Sequence, residues 1–309
     1  MKILIVQIGR IGDMVLTTPL FREIHHKFPN ALIDILCSKQ NFQIVEDNPH
    51  IHKMWIYTKG IQTAKLIFGL RAEKYDIWLD PKDHFSRESM ILAKLSNAKI
   101  KIGWKNERNS VFTHPIPLVN SQNHHRVETN LTALIPMGIT PQFTNIPELF
   151  PTKDSEDFVE KFLSGIDNPI VVNISAGDKS RYLPAETWRK VLENINSTVV
   201  LNFTPSDTLL AQEIKGNNPK IQLFSSRSIM DTVSLIKKAR MVISPDTAVI
   251  HIASAFDIPT LGIYANIDWN FERFRPLSSH SIVIQPDEGK TLQQLSSDKI
   301  LKALEQFPF

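Results

Sequence analysis

Short apolar runs, each closed by a polar turn, alternate along the chain with stretches whose apolar residues recur every three or four positions. The first run spans Lys2 to Gln7 and has the unbroken apolar character of a strand buried on both faces. Similar runs at Ala31 to Leu36, Met54 to Tyr57, Tyr75 to Leu79 and Ile100 to Ile102 predict further strands. Between them, Leu16, Leu20 and Ile24 mark a helix by their spacing of four. Ile61 to Arg71, Arg87 to Leu95 and Glu128 to Met137 predict others. The second half repeats the alternation. Its strands are expected at Ile170 to Ile174, Val199 to Phe203, Ile221 to Phe224, Met241 to Ile243 and Thr260 to Tyr264. Its helices are expected at Ala185 to Asn194, Asp207 to Lys215 and Met230 to Ala239. Strands alternating with helices build parallel sheets covered on both faces.

Between the halves, Gly138 to Thr152 carries Pro141, Pro147 and Pro151 without periodicity and reads as a linker. The expected fold is therefore α/β, with two Rossmann-like domains over residues 1–151 and 152–309 that face one another across a ligand cleft. The tail, residues 291–307, is amphipathic through Leu292, Leu295, Ile300, Leu301 and Leu304 and reads as a helix, with packing back on the first domain open to it.

Two helix starts bear on chemistry. After the first strand comes the loop Ile8-Gly9-Arg10-Ile11-Gly12-Asp13. Pro19 leaves two options for the helix after this loop. Either Thr18 caps a helix with Pro19 first, leaving Asp13 free in the loop, or a helix starts near Asp13 and kinks at Pro19. The loop is not a dinucleotide fingerprint, because G-x-x-G-D lacks the third glycine. The other start lies in Ile243 to Ala255, read I-S-P-D-T-A-V-I-H-I-A-S-A. Ser244 suits the N-cap and Pro245 the first helical position. The free N–H groups and partial positive charge of such a terminus suit a phosphate, and small Thr247 and Ala248 let an anion approach. From this stretch alone an ordinary capped helix reads equally well.

Composition narrows the class. The 309 residues hold one cysteine, Cys37, which excludes a disulfide framework or a cysteine metal cluster and fits a reducing cytoplasm. No signal peptide and no apolar run of about 20 residues is visible. Residues 1–150 hold 18 Lys+Arg against 13 Asp+Glu, a surplus of +5; the remainder hold 17 against 19, or −2, which together give the chain's +3. A basic first half suits an anionic glycolipid or membrane surface. There is no dense basic run, and no nucleic-acid partner is expected.

Three separated stretches then agree: I-G-R-I-G-D-M-V-L-T-T-P near the start, N-I-S-A-G-D-K-S-R-Y-L-P at Asn173 to Pro184, and S-P-D-T-A-V-I-H-I-A-S-A from Ser244. Together they resemble the family 9 glycosyltransferases, the ADP-heptose:lipopolysaccharide heptosyltransferases, over most of the chain. The resemblance implies GT-B architecture, with an acceptor-binding N-terminal domain and a nucleotide-sugar-binding C-terminal domain. It implies inverting transfer without a metal or other cofactor. The donor would be an ADP-sugar, ADP-L-glycero-β-D-manno-heptose, and the acceptor the inner core of lipopolysaccharide at the cytoplasmic face of the inner membrane, where the enzyme sits in the cytoplasm with peripheral membrane contact.

The resemblance also implies roles. Asp13 matches the family's proposed base, and backbone N–H groups around it favour its ionised form. Arg181 stands where the family usually has a lysine; it suits the diphosphate through two donors, with Lys179 as its alternative. Asp246, Thr247 and Ala248 frame the phosphate site, Asp246 capping the helix or bonding loop N–H groups. His251, one turn after Thr247, touches phosphate, orients the loop or is structural. Asp207 falls near the family's ribose-binding glutamate, and as N-cap of its helix it has an equally good bland reading. For the acceptor, Gly12, Lys82, Arg87 and Arg126 are candidates, with His84, His124 and His125 nearby. Tyr264-Ala265-Asn266-Ile267-Asp268-Trp269 departs from the family's aromatic-Gly-x-Thr pattern and leaves the sugar open. A UDP- or GDP-hexose donor, or a catalytically silent nucleotide-binding protein, are the alternatives.

Overall fold

The computed structural model describes residues 1–105, 111–117, 119 and 122–307, and the chain divides between Phe150 and Pro151 into two units. The first unit runs β1 (Lys2–Gln7), α1 (Ile11–Val15), α2 (Thr18–Lys27), β2 (Leu32–Ser38), β3 (Lys53–Tyr57), α3 (Ile61–Ala72), β4 (Ile77–Leu79), α4 (Arg87–Leu95), β5 (Ile100–Gly103), β6 (His114–Pro115) and α5 (Arg126–Leu131). Its six strands are parallel in the order β3-β2-β1-β4-β5-β6. Leu4, Val6, Leu36 and Trp78 cover one face and pack with Leu66 and Leu70 of α3 and Leu92 and Ala93 of α4. Strands buried on both faces read as continuous apolar runs, which is why they are visible in the sequence.

The Pro19 alternatives resolve as two helices rather than one. Proline cannot donate to the carbonyl of Val15, and the Thr18 hydroxyl donates to it instead at 2.8 Å. Thr17, not Thr18, occupies the N-cap of α2, and Pro19 falls at its second position. The single helix expected over Glu128 to Met137 starts earlier, at Arg126, and tightens into a 3₁₀ turn over Thr132–Met137. Pro136 again lacks the N–H that an α-helix needs there, and Gly138, at φ 68°, ends the turn in the left-handed region.

The second unit runs α6 (Lys153–Phe162), β7 (Ile170–Asn173), α7 (Ala185–Glu193), β8 (Val199–Phe203), α8 (Thr208–Lys215), β9 (Ile221–Ser225), α9 (Ile229–Lys237), β10 (Met241–Pro245), α10 (Ala248–Ala255), β11 (Thr260–Ile263), α11 (Asp268–Phe274), β12 (Ser281–Ile284) and α12 (Ser297–Leu304). Its six strands are parallel in the order β9-β8-β7-β10-β11-β12, the same winding as the first unit. Elements α6, α11, β6 and β12 are not expected from the sequence, being short or close to proline-rich stretches. The terminal helix buries Ile300, Ala303 and Leu304 in this second core beside Trp188 and Val191 of α7.

The start of α10 differs from expectation. Ser244 and Pro245 do not cap it; they continue β10, paired with Gly262 and Ile263 of β11, and the N–H of Asp246 donates to the carbonyl of Ile263 at 2.9 Å. Thr247 is the N-cap, and its hydroxyl accepts from the N–H of Val249 at 3.3 Å. Proline is tolerated here because the pairing of β10 with β7 ends at Ile243, so the N–H that Pro245 lacks is not needed by that ladder. The helix therefore opens later than Ser-Pro suggested, and Ala248 takes the first helical position.

Candidate functional site

In a doubly wound sheet, ligands bind outside the carboxyl ends of the strands where the winding reverses. These points lie between β1 and β4 in the first unit and between β7 and β10 in the second. The residues following these four strands are the candidates.

After β1, Asp13 sits in the first turn of α1, half-exposed, and its Oδ2 accepts the N–H of Arg10 at 3.2 Å. It is thus a cap on its own short helix. The Arg10 guanidinium only donates, so the link is one-sided. The loop beneath is tied down: the Asn41 side chain donates to the carbonyls of Gln7 at 2.8 Å and Gly9 at 3.2 Å, and the N–H of Gly9 donates to Gln7 Oε1 at 3.3 Å. A Cβ on Gly9 would lie 2.9 Å from Gln7 Oε1 and 3.0 Å from Asp13 Oδ2, so a side chain there would push on the carboxylate. Gly12, within α1, gives its carbonyl to the N–H of Leu16 at 3.0 Å.

After β4, buried Asp80 takes the Ser89 hydroxyl and, at 3.3 Å, the N–H of Lys82. Lys82 reaches Ser86 at 3.3 Å, and Arg87 stands exposed at the start of α4. Arg126 is placed differently from the open basic group expected of it. It is 3% exposed, and its Nη1 lies 2.8 Å from Asp83, so a buried ion pair holds this loop. His125 is buried too and caps α5 by accepting the Val127 N–H at 3.2 Å, while His124 is exposed. A cavity of about 20 Å³ beside Lys82 and Asp83, walled by Trp104, Pro117 and Thr129, has room for about one water.

In the second unit, the loop after β7 and the end of β10 are joined. Arg181 ends a 3₁₀ turn, Lys179–Arg181, and its Nη1 donates to the backbone carbonyl of Asp246 and lies 3.4 Å from the Asp246 carboxylate. That carboxylate also accepts from Asn270 of α11 at 2.9 Å. The expectation that Asp246 caps the helix is corrected: Thr247 is the cap, and Asp246 is the middle of a clamp between Arg181 and Asn270. The charge of this carboxylate is thus already met by the guanidinium. Lys179 is exposed on the same turn, which is pinned from below by Gln293 bonding the carbonyls of Lys179 at 3.3 Å and Ser180 at 3.1 Å.

Beneath Thr247 runs a polar chain that sequence reasoning missed. Buried Asn173, at the end of β7, donates to Ser175 O at 2.9 Å, Ser244 Oγ at 3.2 Å and Thr247 Oγ1 at 3.4 Å. Its Oδ1 accepts from Asn202 of β8 at 3.1 Å. Two asparagines facing each other at the ends of apolar strands were the available signal. Asp207 follows β8. It holds the N-cap position of α8, but its side chain makes no cap bond. It turns back to accept from the hydroxyls of Ser175, of Thr204 at 3.0 Å and of Tyr182 at 3.2 Å. A carboxylate already gathering hydroxyl donors at a strand's carboxyl end is chemically suited to a ribose diol.

His251 lies on α10, 5% exposed, with its ring 6.2 Å from that of Phe274. Burial first, and the Arg181 charge second, bring its pKa down from 6.5 to about 4. It is a neutral imidazole at physiological pH and cannot serve as a cation to a phosphate. Because folding lowers this pKa, the unfolded chain takes the proton more readily. The stability carried by the neutral ring is complete above pH 6.5 and is lost as pH falls towards 4, about 3 kcal/mol in all. Replacing His251 by leucine is expected to flatten that part of the stability profile, as thermal melts of both proteins between pH 7 and 4 would show. Parallel profiles would contradict it.

Among the described residues, no group of three or more His, Cys, Asp or Glu side chains is placed to hold a metal, and no helix is long and apolar enough to cross a membrane.

Comparison with known proteins adds to this geometry. The family described as glycosyltransferase family 9 (heptosyltransferase) matches residues 63–303. Lipopolysaccharide heptosyltransferase 3 of Escherichia coli is 28% identical over 295 residues, covering 88% of this chain and 85% of its own. The crystal structure of a family 9 glycosyl transferase from Veillonella parvula superposes with a TM-score of 0.84 at 18% identity, over 98% of this chain and 96% of that one. The E. coli heptosyltransferase WaaC with ADP does so with a TM-score of 0.80 at 17% identity, over 99% of each chain. At such identities the structural likeness speaks for the fold, two Rossmann-like units of the GT-B type.

Proposed function

The chain belongs to glycosyltransferase family 9, the heptosyltransferases, and from that premise we propose its reaction. It is a glycosyltransferase that moves a heptose from ADP-L-glycero-β-D-manno-heptose to a hydroxyl of the lipopolysaccharide or lipooligosaccharide inner core, with inversion and without a metal. The second unit binds the donor and the first the acceptor. The observation that supports this most is the Arg181–Asp246–Thr247 arrangement at the winding reversal of the second sheet.

Asp13 takes the proton from the acceptor hydroxyl as its oxygen bonds to the anomeric carbon. The bond from that carbon to the β-phosphate oxygen breaks, and ADP departs with the electron pair. Charge grows on the leaving diphosphate, where the Arg181 guanidinium and the N–H groups of Thr247 and Ala248 meet it. Asp207 accepts from the ribose hydroxyls, and Lys179 adds positive charge at the pocket rim. Gly12, Lys82 and Arg87 line the acceptor side. Arg126 acts there at one remove, by holding Asp83 in the loop that carries Lys82. The acceptor is lipid-borne, so the reaction belongs at the cytoplasmic face of the inner membrane.

The test is incubation with ADP-heptose and truncated lipopolysaccharide, with and without EDTA, read by the mass of the product. One added heptose at an undiminished rate in chelator is expected; transfer that needs a divalent ion would remove the metal-free mechanism. Thermal shifts with ADP, UDP and GDP check the donor, since a bound nucleotide raises stability by mass action. Stabilisation by UDP or GDP in place of ADP would mean a different nucleotide sugar.

A further inference from the structure

Helix α3 has an unusual outer face. Its sequence, IQTAKLIFGLRA, holds no acidic residue, and it is apolar on two sides. Leu66 and Leu70 enter the core. On the opposite side Ile61 is 94% exposed and Phe68 78% exposed, in one stripe with Lys65 and with Arg71 at its flank. Neighbouring α4 repeats the pattern: Arg87, Ile91, Lys94 and Leu95 share its solvent side, with Ile91 41% and Leu95 39% exposed. Phe85, 40% exposed, precedes it in the loop that also carries Lys82. The one carboxylate on the two helices, Glu88, is paired with Lys59 at 2.8 Å. Both helices pack on the same core cluster, so both outer faces look away from the same side of the sheet. Isolated exposed apolar residues are ordinary on a protein surface; a stripe of them edged mainly by cations, with its one carboxylate already paired, is not.

We propose that this α3–α4 face docks the first unit on an anionic lipid bilayer. Ile61, Phe68, Ile91 and Leu95 enter the headgroup boundary, while Lys65, Arg71 and Lys94 meet lipid phosphates. Charge complementarity selects this occupant, and the proposal deepens the proposed function by naming where the membrane that carries the acceptor meets the chain. The face adjoins the β4–α4 loop, so docking presents that loop to material projecting from the bilayer.

The test is sedimentation of the full chain with phosphatidylglycerol–phosphatidylcholine vesicles and with pure phosphatidylcholine vesicles, in the absence of substrate. Binding is expected to the anionic vesicles, weakened by salt. The double variant Ile61→Ser/Phe68→Ser is expected to lose about tenfold or more in partitioning, and Lys65→Glu/Arg71→Glu a similar amount. Both should leave ADP affinity and thermal melts unchanged, because these side chains contribute nothing to the core. Should the serine variant fail to fold, the charge reversal carries the test. Undiminished binding by a folded variant would overturn the proposal, as would equal binding to neutral vesicles. A dimer in solution that the serine variant turns into monomer would also overturn it, making the face an interface between copies. Because no sugar is transferred in this assay, failure of the heptose reading leaves its outcome unchanged.

Discussion

Replacing Asp13 by alanine is expected to lower turnover about a thousandfold while ADP affinity stays within about twofold. The carboxylate belongs to the first unit and the groups proposed to face the diphosphate to the second, so the proposed base can be removed without touching the proposed partners of the nucleotide. Alanine also removes the cap on the Arg10 N–H, worth about 1 kcal/mol, so lost activity alone would not separate chemistry from folding. Asparagine makes the separation. Its amide oxygen keeps the Arg10 bond and the side-chain shape but cannot take a proton. Asp13→Asn is therefore expected to be as inactive as Asp13→Ala, with a melting temperature like the parent's. A near-normal rate for the asparagine variant, measured with saturating donor and truncated acceptor, would remove Asp13 from the base role.

Arg181→Ala is expected to cost about a hundredfold in turnover and about tenfold in ADP affinity. The larger effect falls on turnover because, in the proposed reaction, the diphosphate gains charge as its bond to the anomeric carbon breaks and the guanidinium meets that charge. Part of the loss runs through Asp246, which would keep Asn270 as a partner but lose its cation and turn repulsive to the phosphate. Arg181→Lys separates the contributions. Lysine restores the charge but not the fork that bonds the Asp246 carbonyl, so it should regain affinity more fully than turnover. Equal effects on kcat and KM in Arg181→Ala would mean that the residue binds the nucleotide uniformly and has no special role in its departure.

Most strands and long helices are legible in the chain because burial on both faces forces unbroken apolar runs. Strand β1 and helix α4 fall within the stretches expected of them. Short elements are not: β6 has two residues, and α11 reads as a polar-aromatic loop. Among the candidate residues, a carboxylate in the first unit and an arginine and a threonine in the second are each legible because each comes after an apolar run. Their partners are hidden. Nothing local tells that Asn270 reaches Asp246 across 24 positions, that Arg126 buries itself on Asp83, or that Asn173 bonds Thr247 from 74 positions away. Such contacts are set by the order in which strands enter the sheet.

The sequence alone determined two parallel-sheet units, the glycine loop that carries Asp13 and the small residues that open α10, because each is enforced within a few neighbours by burial or backbone sterics. Only the tertiary structure decided where α10 begins, what Asp246 holds and that His251 is neutral. Each of those depends on atoms that the chain brings together from distant positions: the pairing of Pro245 with Ile263, the reach of Arg181 to Asp246, and the exclusion of water around an imidazole.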